Sequence, residues 1–166
     1  MEIKIPLYNV LNMFLTGFVF IGGAMFQDVE KLINFIGTET FTKLTTMSEV
    51  LLVLIVVSIV YEVGLILNRI GSVILEPILK KIKIIPYDDR YAFFREKSKK
   101  FPIMNTLSRE YALSRTGIAE FLILAIMSGV KCEWGLTVIF LCVSLIYLLS
   151  CRKHAAKIVA LINKCD

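Results

Sequence analysis

Apolar positions along this chain come in four long runs, with charged and turn-forming residues gathered between the runs rather than interleaved at a strand period. The clearest run is 50–67, eighteen residues in which only Ser58, Tyr61, Glu62 and Gly64 interrupt the aliphatics. As a helix rising about 1.5 Å per residue it is about 27 Å long, close to the thickness of a hydrocarbon core. The four runs predict transmembrane helices over about 7–27, 49–68, 113–130 and 135–151.

Residues at the run boundaries support this division. Pro6 suits a first helical turn, where its missing N–H is no loss. A cleaved signal peptide competes for the first run, since Gly22, Gly23 and Ala24 are small. However, Lys4 is the one cation ahead of it and the run is long and aromatic, so a span is the preferred reading. Segment 28–36 spaces Val29, Leu32, Ile33 and Ile36 as a short amphipathic surface helix with Gly37 as its C-cap. Thr46 and Glu49 then have the spacing of a capping box that opens span two. Beyond Leu67 an apolar stripe of Ile70, Val73, Ile74, Ile78, Ile82 and Ile85 continues opposite Arg69, Ser72, Glu76, Lys80 and Lys83. This predicts that the helix leaves the membrane with one wet face, kinks near 73–77 ahead of Pro77, and stops at Pro86. A short helix over 88–97 and another from Asn105 or Thr106 running directly into span three are expected next. A tight turn over 131–135, with Trp134 at the interface, joins spans three and four. The tail 152–166 keeps apolar residues at helical spacing, Ala155, Ile158, Val159 and Ile162.

Composition agrees with the runs: 57% of residues are hydrophobic and the mean hydropathy is +0.73, above the range of soluble domains. The expected class is all-α, a polytopic membrane protein with four transmembrane helices and cytoplasmic helical extensions, forming a single domain over 1–166. The net charge of +5 matters through its placement. Between Arg69 and Arg115 there are eleven basic and five acidic residues, a surplus of six that exceeds the charge of the whole chain. The loop 69–112 and the tail therefore belong on the cytoplasmic side, with both termini. Cys132, Cys142, Cys151 and Cys165 have no CxxC spacing, and this topology leaves only Cys132 on an oxidising side, so no disulfide within the chain is expected.

Candidate chemistry lies at two depths. Glu62 and Glu120 fall at a similar depth in spans two and three, and buried charges are usually paired. They are read as one intramembrane polar layer with Arg69, Arg115 and Asn68, either a structural clamp or an ion or proton path, with the clamp preferred. Asn9, Asn12, Thr16 and Gly23 share one stripe of the first span, read as a helix-packing face in preference to a water-lined path. On the loop, Arg90, Tyr91, Phe94, Arg95, Lys97, Lys99 and Lys100 mix aromatics with cations. Beside a membrane this suits anionic headgroups or a docked protein, and direct nucleic-acid binding is not expected. His154 is read as a solvated tail residue, and there is no GxSxG, no glycine-rich phosphate loop and no metal-ligand spacing. No catalytic residue, metal site or cofactor is expected.

With YEVGLILNRIGS running into a basic loop and SREYALSRTG leading into span three, the layout resembles the small four-span membrane subunits of Kiwa-type bacterial anti-phage systems. Membrane effectors of retron and cyclic-oligonucleotide systems share much of this layout. The Kiwa resemblance implies an oligomer in the bacterial inner membrane that senses membrane disturbance and partners a cytoplasmic DNA-binding protein. It covers the plan of the chain, and no site residue is carried across from it. The expected function is thus a non-enzymatic membrane sensor or effector that docks a cytoplasmic partner through 69–115. A small ion channel or transporter using Glu62 and Glu120, or a plain membrane anchor, are the alternatives.

Overall fold

A computed structural model describes residues 7–28, 46–86 and 102–163. Five helices and one π-helical segment follow in order: α1 (Leu7–Phe26), α2 (Thr46–Ile70), the π segment (Gly71–Leu75), α3 (Glu76–Lys81), α4 (Pro102–Val130) and α5 (Trp134–Asn163). Among the described residues there is no strand. Four stretches, Leu7–Phe26, Glu49–Lys81, Ile103–Val130 and Trp134–Asn163, are long and apolar enough to cross a membrane. The all-α, four-span architecture expected from the apolar runs is therefore present. The expected surface helix at 28–36 and the helix at 88–97 lie outside the described residues, as does the side chain of Thr46 at the expected cap.

Helix α4 is the centre of the unit. Half of its most apolar stretch is buried, against 11% for α1, 17% for α2 and 11% for α5, so the other helices turn most of their apolar surface outward, as lipid-facing helices do. Two antiparallel hairpins meet at α4. In the first, α1 packs on α2 through glycines: a Cβ on Gly17 would lie 1.8 Å from the Val60 carbonyl oxygen, and one on Gly64 equally close to that of Met13. Small residues permit such approach, and in a membrane close packing replaces the hydrophobic drive. In the second, α4 packs on α5 through Phe121, which stacks on Tyr147 with ring centroids 5.6 Å apart and lies 6.2 Å from Phe140, and through the Ser114 and Ser150 hydroxyls, 3.0 Å apart. Gln27 joins the hairpins at one end by donating from Nε2 to the Leu124 carbonyl, beside an ion pair of Lys131 with Asp28.

The expected bend ahead of Pro77 takes a specific form. The helix widens into the π segment, where the Glu76 N–H donates to the Gly71 carbonyl, and Pro77 follows in the first turn of α3. A proline's ring clashes with the carbonyl four residues earlier, and one wide turn is a known relief. Gly71 lets this turn touch α4, since a Cβ there would lie 3.2 Å from the Arg115 carbonyl oxygen. The helix stops at Lys81, earlier than the Pro86 stop expected from the sequence. The reason is a Schellman turn: Ile84 N–H donates to Leu79 O and Lys83 N–H to Lys80 O, with Lys83 at φ 60°. The turn folds Ile85 back onto a core with Leu79, Ile118, Cys151 and Ala155. The same motif ends α4, with Cys132 at φ 60° and bonds from Cys132 N–H to Gly129 O and from Glu133 N–H to Ser128 O. Helix α4 starts at Pro102 rather than at Asn105 or Thr106, because proline is preorganised for a first turn. As expected, it enters the apolar region without a break.

Candidate functional site

The start of α1, the end of α2 and the start of α4 lie at one end of the unit. Arg109 of α4 places its guanidinium 5.7 Å from the Tyr8 ring of α1, and the Thr116 hydroxyl of α4 lies 3.1 Å from Asn68 Oδ1 of α2. Between the three helices opens a pocket of about 240 Å³. Helix α1 lines it with Asn9, Asn12 and Thr16, and α2 with Gly64 and Asn68. Helix α4 adds Ser108, Arg109 and Thr116, while Met13 and Leu113 supply apolar wall. The close contact of α1 and α2 at Gly64 and Met13 forms one wall of this space, and the amides of Asn9, Asn12 and Asn68 line it beyond that contact.

The stripe expected to pack helix against helix therefore has two uses. Thr16 is buried and its hydroxyl donates to the Asn12 carbonyl at 2.8 Å, and Gly23 accommodates the Leu124 side chain, within 2.8 Å of where a Cβ would stand. Asn9 and Asn12, on the same stripe, face the pocket. Asn68, with Oδ1 accepting from Thr116, keeps its NH2 group as a donor. Among the described residues the lining holds one cation and no carboxylate.

The expected polar layer separates into three parts. Glu120 is buried, 3% exposed, and its Oε1 has no hydrogen-bond partner among the described residues. Glu62 is exposed and does not meet it. The cause is rotation about the α2 axis. Val60, Gly64, Leu67 and Gly71 form the buried stripe, and Glu62, two residues from Val60, is turned about 200° away from it. Arg69 is also exposed. Arg115 pairs with Glu76 at the head of α3, with its guanidinium 5.8 Å from the Tyr111 ring, and Lys80 joins Glu76 at 2.6 Å. Neither glutamate of the expected layer takes part in this clamp. Glu76, which was grouped with the wet face of the extension, is its acid.

His154, expected to be solvated, instead packs from α5 onto α4, its Nδ1 3.1 Å from Glu110 Oε2. Arg90, Tyr91, Phe94, Arg95, Lys97, Lys99 and Lys100 lie outside the described residues. Among the described residues no group of three or more His, Cys, Asp or Glu is placed to hold a metal ion. Sequence reasoning did not single out Glu76 or Ser108, and it considered Arg109 only as a counter-ion for the intramembrane acids rather than as part of a pocket. The available signal was their placement on either side of the membrane boundary, where cations and acids of neighbouring helices meet. Compared with protein-family models, with characterised proteins and with solved structures, the chain matches none of them.

Proposed function

We propose that the protein is a non-enzymatic, oligomeric membrane sensor or effector of bacterial anti-phage defence, in the inner membrane with both termini cytoplasmic, docking a cytoplasmic partner through its 69–115 region. The observation that carries this reading is the path of α2. It crosses the apolar region, continues through a π turn, and is fastened there to the central helix by the Glu76–Arg115 pair. A displacement of α2 in the bilayer is thereby passed to α3 and to the basic loop. Wide turns of this kind are common at functional positions in helices. An oligomer is supported by Glu62, an ionisable group exposed among Ile55, Ile59 and Ile66 on a face that also carries Ser58 and, two turns on, Arg69; a neighbouring copy would remove it from lipid.

The test is protection against phage in bacteria carrying this gene together with its neighbouring gene. Wild type is expected to lower plaque counts, and Glu76→Gln, present in the membrane in equal amount, to lose the protection. Plaque counts unaffected by the wild-type pair, or protection intact in Glu76→Gln, would overturn the reading.

One observation favours the transport alternative. Glu120 lies one helical turn beyond Thr116, buried outside the pocket lining, with a carboxyl oxygen that has no partner among the described residues. Because Glu62 faces the other way, a path of this kind would run through Glu120 alone.

A further inference from the structure

We propose that the pocket between α1, α2 and α4 binds the phosphate of an anionic phospholipid headgroup. Its chemistry is donor-rich. Asn9, Asn12 and Asn68 bring amides, Ser108 a hydroxyl and Arg109 a guanidinium, and among the described residues the lining has no carboxylate to compete for them. Phosphate is the complementary group: an anion with several acceptor oxygens, matched by the planar fork of arginine. Arg109 has no acid partner among the described residues and rests on the face of Tyr8, which orients a cation without neutralising it.

Size and surroundings favour a lipid over a free ion. At about 240 Å³ the pocket is smaller than typical sites for drug-sized ligands, about 300–1,000 Å³, so it suits a headgroup whose remainder stays outside. The pocket also lies where α2 and α4 pass from aliphatic sequence to Arg69, Arg109 and Arg115, the level of lipid phosphates.

This deepens the sensor reading, on which its consequence for signalling rests, by giving the sensor a ligand. Binding is measured on the full chain by native mass spectrometry after extraction from nanodiscs of phosphatidylcholine with a minor share of phosphatidylglycerol. Wild type is expected to retain one phosphatidylglycerol per chain. Arg109→Gln should lower that occupancy about ten-fold, the loss of one charge-assisted contact. Asn68→Leu, which leaves every charge in place, should lower it too, while Arg69→Gln, an exposed cation outside the pocket, should not. Equal retention in wild type and Arg109→Gln, equal loss in Arg69→Gln, or equal retention of phosphatidylcholine would overturn the proposal. Displacement of the lipid by inorganic phosphate, with the same dependence on Arg109, would overturn the lipid as ligand in favour of a soluble phosphate. A chain that retains the lipid but gives no protection against phage removes the sensor reading and leaves the site; protection without retention does the reverse.

Discussion

Where α1 crosses α2, backbone meets backbone, and the space beyond the contact is a pocket lined by amides; where α4 crosses α5, rings and small hydroxyls fill the gap. The two hairpins have similar apolar lengths, so the difference lies in what the interfaces tolerate. A contact between main chains cannot be adjusted by rotating a side chain, whereas an aromatic contact can. The first hairpin is thus rigid at its crossing and open at its end, which places the pocket there. In the second, α5 packs against the central helix through rings at Phe121, Phe140 and Tyr147 and hydroxyls at Ser114 and Ser150.

The same substitution separates them. In Gly64→Ala the new Cβ would stand 1.8 Å from the Met13 carbonyl oxygen, and ordinary nonbonded contacts need about 3.5 Å, so the helices must move apart by about 1.7 Å. The expected loss is about 3 kcal/mol or more, the upper end of overpacking costs, read by denaturation in mild detergent. Gly17→Ala, facing the Val60 carbonyl oxygen, should behave alike. A change within about 0.5 kcal/mol in both variants would show that backbone contact does not hold this hairpin.

A smaller effect is expected in the second hairpin. At Gly117 the nearest atoms are those of the Tyr147 ring, with Cδ1 at 2.6 Å, and a ring can swing aside. Gly117→Ala should cost about 1–2 kcal/mol. Part of that is the weakened stack on Phe121, worth about 0.5–1.5 kcal/mol. Adding Tyr147→Leu should recover stability in Gly117→Ala, and no side-chain trimming should do so for Gly64→Ala. Denaturation of the double variant checks this, and failure to recover would place the strain in the backbone of this hairpin as well.

Residue patterns made the four spans, the run of α4 into the apolar region and the bend before Pro77 legible, because each follows from length, periodicity or the missing proline N–H. Rotation about a helix axis was not legible for Glu62. An apolar run that is aliphatic on all sides carries no moment to say which face is inward, and the buried stripe is set instead by Gly64 and Gly71, whose lack of a side chain reads as an interruption. The stripe from Asn9 to Gly23 was legible as a stripe, and its division into packing and pocket was not, since that depends on where α1 and α2 diverge. The Glu76–Arg115 pair spans 39 residues of sequence, and only the docking of α3 on α4 brings it together.

Glu120 lies on the central helix between the two hairpins, and its replacement should have the smallest effect on stability. Glu120→Gln keeps the shape and removes the carboxyl. As no cation pairs with Glu120 among the described residues, no ion pair is broken, and the change should stay within about 1 kcal/mol of wild type in the same denaturation assay. The substitution also divides the two functional readings. A sensor whose moving part is α2 and its clamp at Glu76 has no need of an ionisable group at this position. Liposomes containing either protein should then show the same leak of protons as empty ones, and protection against phage should persist. A proton flux present in wild type and absent in Glu120→Gln would transfer function from the clamp to the buried carboxyl. The open end of the first hairpin would then be an entrance rather than a seat for a headgroup.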